Sequence, residues 1–348
     1  MTSYLLDKKV QTKCTYIVIC VITVVLFIAC MTTGVVDIPI ADIMTVCTGG
    51  TIDNSIYQTI ILESRLPMAI TALLCGMALS VSGLMLQTTF SNPLAGPSIL
   101  GVSTGASLGV ALIMLGSGMY FNLSPTFTQV SILVGAIAGA GIIVLILLAL
   151  SAAVRSATML LIAGIMIGYL ASAIISWLNF FAPSEDVKGY AIWGMGSFMG
   201  VTLRELPIFS FVVILLCIGA MCMAKPLNAL LAGDKYAASL GYNPRRTRTL
   251  ILLYSGALTA VATAYCGPVG FIGLAVPHIA RVVFATSHHN VLLPATLLCG
   301  AAIGLMCAWL SVLPTSIGIL PLSAVTPIIG IPVIMYVILR RKKLYYFN

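Results

Sequence analysis

Between Ile132 and Leu150 the chain runs for 19 residues without one polar side chain. That length matches the roughly 20 apolar residues that an α-helix needs to cross a bilayer. Amides in hydrocarbon have no water to bond, so such a run must be a helix or part of a closed barrel. A barrel strand is shorter and alternates apolar with polar, which this run does not. Composition extends the argument to the rest of the chain. Of 348 residues, 60% are hydrophobic and 7% charged, and the mean hydropathy is +1.12. Soluble domains carry roughly 25% charged residues. The expected fold is all-α, a polytopic membrane protein with about ten transmembrane helices.

The apolar runs place spans at roughly 14–34, 65–86, 98–116, 128–150, 159–181, 206–224, 247–266, 269–285, 292–313 and 321–339. Two of them, 98–116 and 269–285, are short and rich in Gly or Pro, which leaves a count of eight or nine open. With ten spans, 14 of the 17 basic residues fall on the side of the termini: Lys8, Lys9, Lys13, Arg155, Lys225, Lys235, Arg245, Arg246, Arg248, Arg281, Arg340, Arg341, Lys342 and Lys343. Arg65, Lys188 and Arg204 fall on the other side. Basic residues mark the cytoplasmic side, so both termini are expected there. The net charge of +8 is mostly this bias and gives no reason to expect nucleic acid. Lys8, Lys9 and Lys13 before an apolar run mimic a signal peptide. The run exceeds the usual 7–15 residues and lacks an Ala-x-Ala site, so it is read as span one.

Nine of the ten cysteines lie in or beside apolar runs, where Cys acts as a small hydrophobe, and Cys47 lies in a loop without an obvious partner. No CxxC pair, Cys/His cluster or nucleophile–base constellation occurs, so neither catalytic nor metal-ligating residues are expected. His278 reads as a packing or backbone-bonding residue, and His288–His289 as solvated interface residues. No Asp or Glu lies inside a span, which argues against proton coupling. No Gly-x-x-x-x-Gly-Lys-Ser/Thr phosphate loop is present, so energy from ATP would have to come from another chain.

One polar stretch, 225–248, separates long apolar runs and carries helix signals of its own. A short helical run precedes Gly233; Asp234 then fits an N-cap, and Gly241 a left-handed stop. Asn243-Pro244 caps and starts the next span. Two short helices at the membrane surface follow, either as a plain connection or as a docking surface for a soluble partner. On the outer side, loops 35–64 and 182–205 are solvated connections or a receiving surface. The halves also echo one another: Gly96-Pro97 with Gly101 follows span two, and Gly267-Pro268 with Gly270 and Gly273 follows span seven. Short broken segments at matching places in inverted halves point to a pathway between them.

Several motifs then occur in a particular order. They are Arg65-Leu-Pro67, Gly83-Leu-Met-Leu-Gln87, Asn92-Pro-Leu-Ala95, Ile99-Leu-Gly-Val-Ser103 with Gly105-Ala106, and Ala237-Ala-Ser-Leu-Gly241. Gly267-Pro-Val-Gly-Phe-Ile-Gly-Leu274, Val276-Pro-His-Ile-Ala-Arg281, and Thr326 with Gly330-Ile-Pro332 complete the series. Over residues 60 to 343 the chain resembles the permease subunits of ABC importers for vitamin B12, iron-siderophores and haem. The resemblance implies one permease domain over 1–348 in two weakly related inverted halves, in the bacterial inner membrane. It implies pairing with a second copy of itself, two cytosolic ATPase subunits that hold ATP and Mg, and a periplasmic binding protein. No cofactor is expected on this chain.

Position by position, the resemblance assigns ATPase coupling to Asp234, Ala237, Ala238, Ser239, Leu240 and Gly241. It assigns a cytoplasmic gate to Asn92, Leu94, Ser156 and Thr158, and binding-protein docking to Arg65. Met68 stands where a second docking Arg is common, and Val312 near a third, so Lys188 or Arg204 is left as a substitute. A stand-alone secondary transporter or channel of similar helix count is the alternative.

Overall fold

In a computed structural model the described residues are 2–34, 36–52, 54–120, 125–154, 156–313 and 318–339. Asp53, Arg155 and the basic tail Arg340, Arg341, Lys342 and Lys343 lie outside them, as do the side chains of Asp7, Lys8, Lys9 and Cys47. The described residues form helices and no strand. Six helical stretches are long and apolar enough to cross a membrane: Val10–Thr32, Ser55–Thr89, Gln129–Ala153, Thr158–Phe181, Pro244–Cys266 and His289–Val312. A seventh, Leu206–Cys222, runs into Ala224–Leu231 with a bend of 48°. Three shorter apolar helices, Val102–Gly116, Ile272–Phe284 and Leu322–Tyr336, occupy the remaining positions expected for spans.

In chain order these ten apolar helices are α1 (Thr2–Thr32), α4 (Leu66–Thr89), α5 (Val102–Tyr120), α6 (Pro125–Ala153) and α7 (Ala157–Phe181), then α9 (Leu206–Cys222), α12 (Pro244–Cys266), α13 (Ile272–Phe284), α14 (His289–Val312) and α15 (Leu322–Leu339). Their packing repeats. In the first half α4 packs on α14 and α13, and α5 on α7 and α6. Five spans later α12 packs on α6 and α5, and α13 on α15 and α14. Five is odd, so the second half runs inverted to the first, which is the arrangement the Gly-Pro echo suggested.

The close crossings use small residues, because helices in lipid gain by backbone approach rather than by hiding apolar surface from water. Gly76 and Ser80 of α4 face Gly300 and Gly304 of α14, and Gly105 and Gly109 of α5 face Gly135 and Gly139 of α6. Ser80 Oγ donates across the first crossing to the Thr296 carbonyl (3.1 Å). Ser82 Oγ lies 2.9 Å from both the Ser255 carbonyl and Thr259 Oγ1 of α12. Such bonds satisfy hydroxyls that lipid would leave unpaired.

The two Gly/Pro-rich spans are short because the chain before each turns without forming helix. Residues 90–101 and 267–271 are turns, with Ser91, Gly101, Gly267 and Phe271 at positive φ. The first turn packs on the start of α13: Gly96 borders the Leu274 side chain, and Gly273 borders the ring of Pro97.

The outer connections correct the sequence reading. The described residues of 36–64 are largely helical, with α2 (Ile40–Cys47), α3 (Ser55–Thr59) and a π-helical turn, Ile60–Arg65, that runs into α4. The second loop holds α8 (Ser184–Gly194). Its end is tied to the core by Ser197 N–H donating to the Cys266 carbonyl (2.9 Å) and Ser323 N–H donating to the Met195 carbonyl (3.0 Å). These helices run for only 5 to 11 residues, so they lack the long apolar run that reveals a span.

Candidate functional site

The polar stretch after α9 folds as two short helices, α10 (Ala224–Leu231) and α11 (Asp234–Ser239). Gly233 takes the N-cap position of α11 at φ 103°. Asp234 is therefore the first helical residue and not the cap, which corrects the sequence reading. Its carboxylate instead accepts two bonds from Arg248 Nη2, at 2.8 and 2.9 Å, pinning α11 to the base of α12. Gly241 ends the short helix at φ 84°, a conformation cheap only for Gly. Asn243 caps α12, accepting from the backbone N–H of Arg245 (3.1 Å) and Arg246 (3.3 Å).

Ala237 is buried, whereas Asp234, Ala238, Ser239, Leu240 and Gly241 are exposed. The sequence reading missed Tyr236. It lies one turn before Leu240, and each of the two is 53% exposed. Two large apolar side chains on a polar surface helix are a signal of contact with something else. Two clefts border α11. One, of about 730 Å³, is lined by Ser156, Asp234, Ala238, Gly241 and Arg245, so it joins the start of α7 to α11. The other, of about 570 Å³, is lined by Lys225, Asn228, Tyr236, Leu240, His288 and Asn290.

The expected gate residues fall on two short segments. Ser156 is the N-cap of α7, its Oγ accepting from Met159 N–H (3.4 Å), and Thr158 is exposed in the first turn. Asn92 closes a turn after α4, its Oδ1 accepting from Leu94 N–H (2.9 Å), and Leu94 is exposed. The turn is gripped from α13: His278 Nε2 donates to the Pro93 carbonyl (2.8 Å), in keeping with a backbone-bonding role. Arg281 Nη1 donates to Gln87 Oε1 (2.7 Å), and Gln87 Nε2 donates to the Leu274 carbonyl (3.1 Å).

His289 contradicts its sequence reading. Its neighbour His288 is exposed, but His289 is buried and meets Thr88 Oγ1 (2.8 Å) and Asn228 Oδ1 (3.0 Å). An Arg and a Gln within apolar helices are rare enough to be a signal by themselves. The partners of His289 lie too far along the chain for spacing to reveal.

Arg65 also points inward. It is only 4% exposed. Its Nη1 donates to the Met31 (2.7 Å) and Thr32 (2.9 Å) carbonyls, and its Nη2 donates to the Val36 carbonyl. Met31 and Thr32 form the last turn of α1, where carbonyls have no donor within the helix. Met68 is buried beside it, while Lys188 and Arg204 lie on α8 and just before α9, on the same expected outer side.

Between the two turns opens a further cavity of about 500 Å³. It is lined by Ser98, Thr104 and Ser107, by Ser172 and Ser176 of α7, and by Pro268, Val269 and Gly270. Hydroxyls in this number on otherwise apolar helices fit a wetted wall better than a lipid-facing one. Among the described residues no cluster of His, Cys, Asp and Glu could hold a metal ion.

Comparison with known proteins follows the same lines. The FecCD transport family matches residues 22–340. The vitamin B12 import system permease protein BtuC of Escherichia coli O9:H4 (strain HS) is 36% identical over 283 residues, covering 81% of this chain and 84% of that protein. The protein of the same name from Shigella flexneri is 37% identical over 280 residues, covering 80% and 83%. A solved structure described as an inward-facing conformation of a metal-chelate type ABC transporter superposes with a TM-score of 0.81 at 26% identity. The match covers 95% of this chain and 99% of that one.

Proposed function

This chain belongs to the FecCD transport family as the non-catalytic membrane permease of an ABC importer, and from that premise we propose how its parts divide the work. Two copies pair, and a large metal chelate (cobalamin, haem or a ferric siderophore) passes between them. One permease domain spans residues 1–348, with both termini in the cytoplasm of a bacterial cell and the protein in its inner membrane. ATP and Mg stay on two cytosolic ATPase subunits, which grip α10 and α11. A periplasmic binding protein delivers cargo to the outer helices. Binding and hydrolysis of ATP rock the copies, so that the outer and inner ends open in turn.

The observation that carries this reading is the α10–α11 knob. It is short and stiffly joined, with α9 bending into it and the Asp234–Arg248 pair fixing it to α12. It offers Tyr236 and Leu240 to the side where basic residues concentrate. A force applied there reaches α9 and α12 through helix rather than through slack loop. Asp234, Ala238, Ser239, Leu240 and Gly241 form its outer surface, and buried Ala237 is its small inner packing residue. Asn92, Leu94, Ser156 and Thr158 provide a gate of small or weakly sticky side chains that seals without holding cargo. Arg65 supports the outer surface from within, and docking charge falls to residues such as Lys188 and Arg204.

The test is co-purification of the ATPase subunit with the tagged permease. The double variant Tyr236→Ala/Leu240→Asp is expected to reach the membrane but lose the ATPase. Retention of the ATPase at the parent level, with ATP-driven uptake intact, overturns the assignment of the knob.

A further inference from the structure

The last turn of α4 is bonded to the knob through one histidine. Asn228 lies on α10, and its Oδ1 accepts both the His289 backbone N–H (2.8 Å) and, at 3.0 Å, the ring Nδ1–H. The other ring nitrogen, Nε2, sits 2.8 Å from Thr88 Oγ1. An amide oxygen only accepts, so Nδ1 must carry a proton. In the neutral ring Nε2 is then an acceptor, and Thr88 must donate to it. Thr88 has a second acceptor for that one proton, the Leu84 carbonyl of its own helix at 3.0 Å. The hydroxyl therefore has two places to go. Bonded to His289 it ties α4 to α14 and α10; turned to Leu84 it lets go, and α4 is left with no orphaned donor.

Thr88 is followed at once by the turn that carries Asn92 and Leu94, and two other grips on this region come from α13. His278 holds the Pro93 carbonyl and Arg281 holds Gln87. Both lie on α13, and neither of these two bonds is made to α10. The grip through His289 is the one that reaches the knob. Coupling between distant sites needs an element with two discrete arrangements that both sites bias. A hydroxyl shared between a knob-linked ring and its own helix is such an element: on release Thr88 keeps its bond to the Leu84 carbonyl, while the buried His289 Nε2 gives up its donor.

We propose that Asn228, His289 and Thr88 form the link by which the state of α10 sets the position of the 90–95 turn, with His278 and Arg281 as the pegs on which that turn pivots. His289 is a positioning residue and touches no cargo. The inference rests on the ABC-permease reading of α10 and α11 and deepens it.

The experiment uses the complete complex with its ATPase subunits in lipid nanodiscs. Leu94→Cys reports the turn through labelling with a membrane-impermeant maleimide. Labelling of the same complex with Leu94 intact is subtracted to remove the native thiols. The parent Leu94→Cys complex is expected to label at different rates in the nucleotide-free and ADP–vanadate-trapped states. Adding Thr88→Val, which keeps the side-chain shape, or Asn228→Ala on the surface half of the link, should abolish that difference. Thr88→Ser should restore it, which a purely structural role of the threonine shape would not predict. Persistence of the full difference in both Thr88→Val and Asn228→Ala overturns the link while leaving the importer reading in place. No difference in the parent complex overturns the gate reading and the link together.

Discussion

Truncation of Arg65 separates two roles that its position suggests, and the geometry sets the size of the effect. In Arg65→Ala the Met31, Thr32 and Val36 carbonyls lose their donor. The Met31 bond is buried, and leaving a buried acceptor unpaired costs about 1–3 kcal/mol. The other two bonds are partly reached by water and count for less. Removing a cation from the C-terminus of α1 takes away a further 0.3–1 kcal/mol or so of dipole interaction. Relief from burying the guanidinium offsets part of this, so the net loss is about 1–4 kcal/mol. The assay is thermal and denaturant unfolding of the purified permease in detergent, alone and with its binding protein. Arg65→Ala should unfold earlier in both conditions. Arg65→Lys should recover part of the loss, because an ammonium keeps the charge but not the planar fork that reaches three carbonyls. Unchanged stability combined with weakened binding-protein capture would refute the inward-facing reading and return Arg65 to the outer surface.

Two further outcomes follow from the packing and the knob. At Gly83 a Cβ would strike the Gly273 backbone where α4 crosses α13. Gly83→Ala should therefore cost at least about 1–3 kcal/mol by overpacking and lower the folded yield in membranes. Gly116→Ala on α5, where nothing lies close, should be neutral or slightly stabilising in the same expression and unfolding assays. Asp234→Ala breaks a pair whose carboxylate is 51% exposed. It should change unfolding by less than about 1 kcal/mol, so that any loss of ATP-driven uptake reflects a loosened knob rather than a damaged fold.

The spans were legible because a bilayer demands a long apolar run, and such runs survive any choice of neighbour. Gly241, Asn243 and Pro244 were legible for another local reason: helix ends need particular backbone geometry or a particular cap. Asp234 was misread because the residue before it, Gly233, also satisfies a cap position, and only the distant Arg248 decides where the carboxylate goes. The outer helices α2 and α3 escaped notice because 8 and 5 residues are too few for periodicity to stand out. His289 looked solvated beside His288, yet His288 is the extended cap before α14 and His289 its first helical residue, so one ring stays at the surface and the next turns into the protein. Arg65 shows the same limit. Its three partners lie about thirty residues back, and no pattern near it announces that α1 ends against its side chain.

The central claim is that transport through this chain is driven from the cytosol by an ATPase it does not contain. The direct measurement is uptake of cyanocobalamin, haem and ferric siderophores into proteoliposomes holding the permease with its ATPase and binding protein, with the permease alone as comparison. The expected result is uptake of one of these cargoes that needs both ATP hydrolysis and the ATPase subunit. Accumulation by the permease alone, driven by an ion gradient and indifferent to ATP, would contradict it.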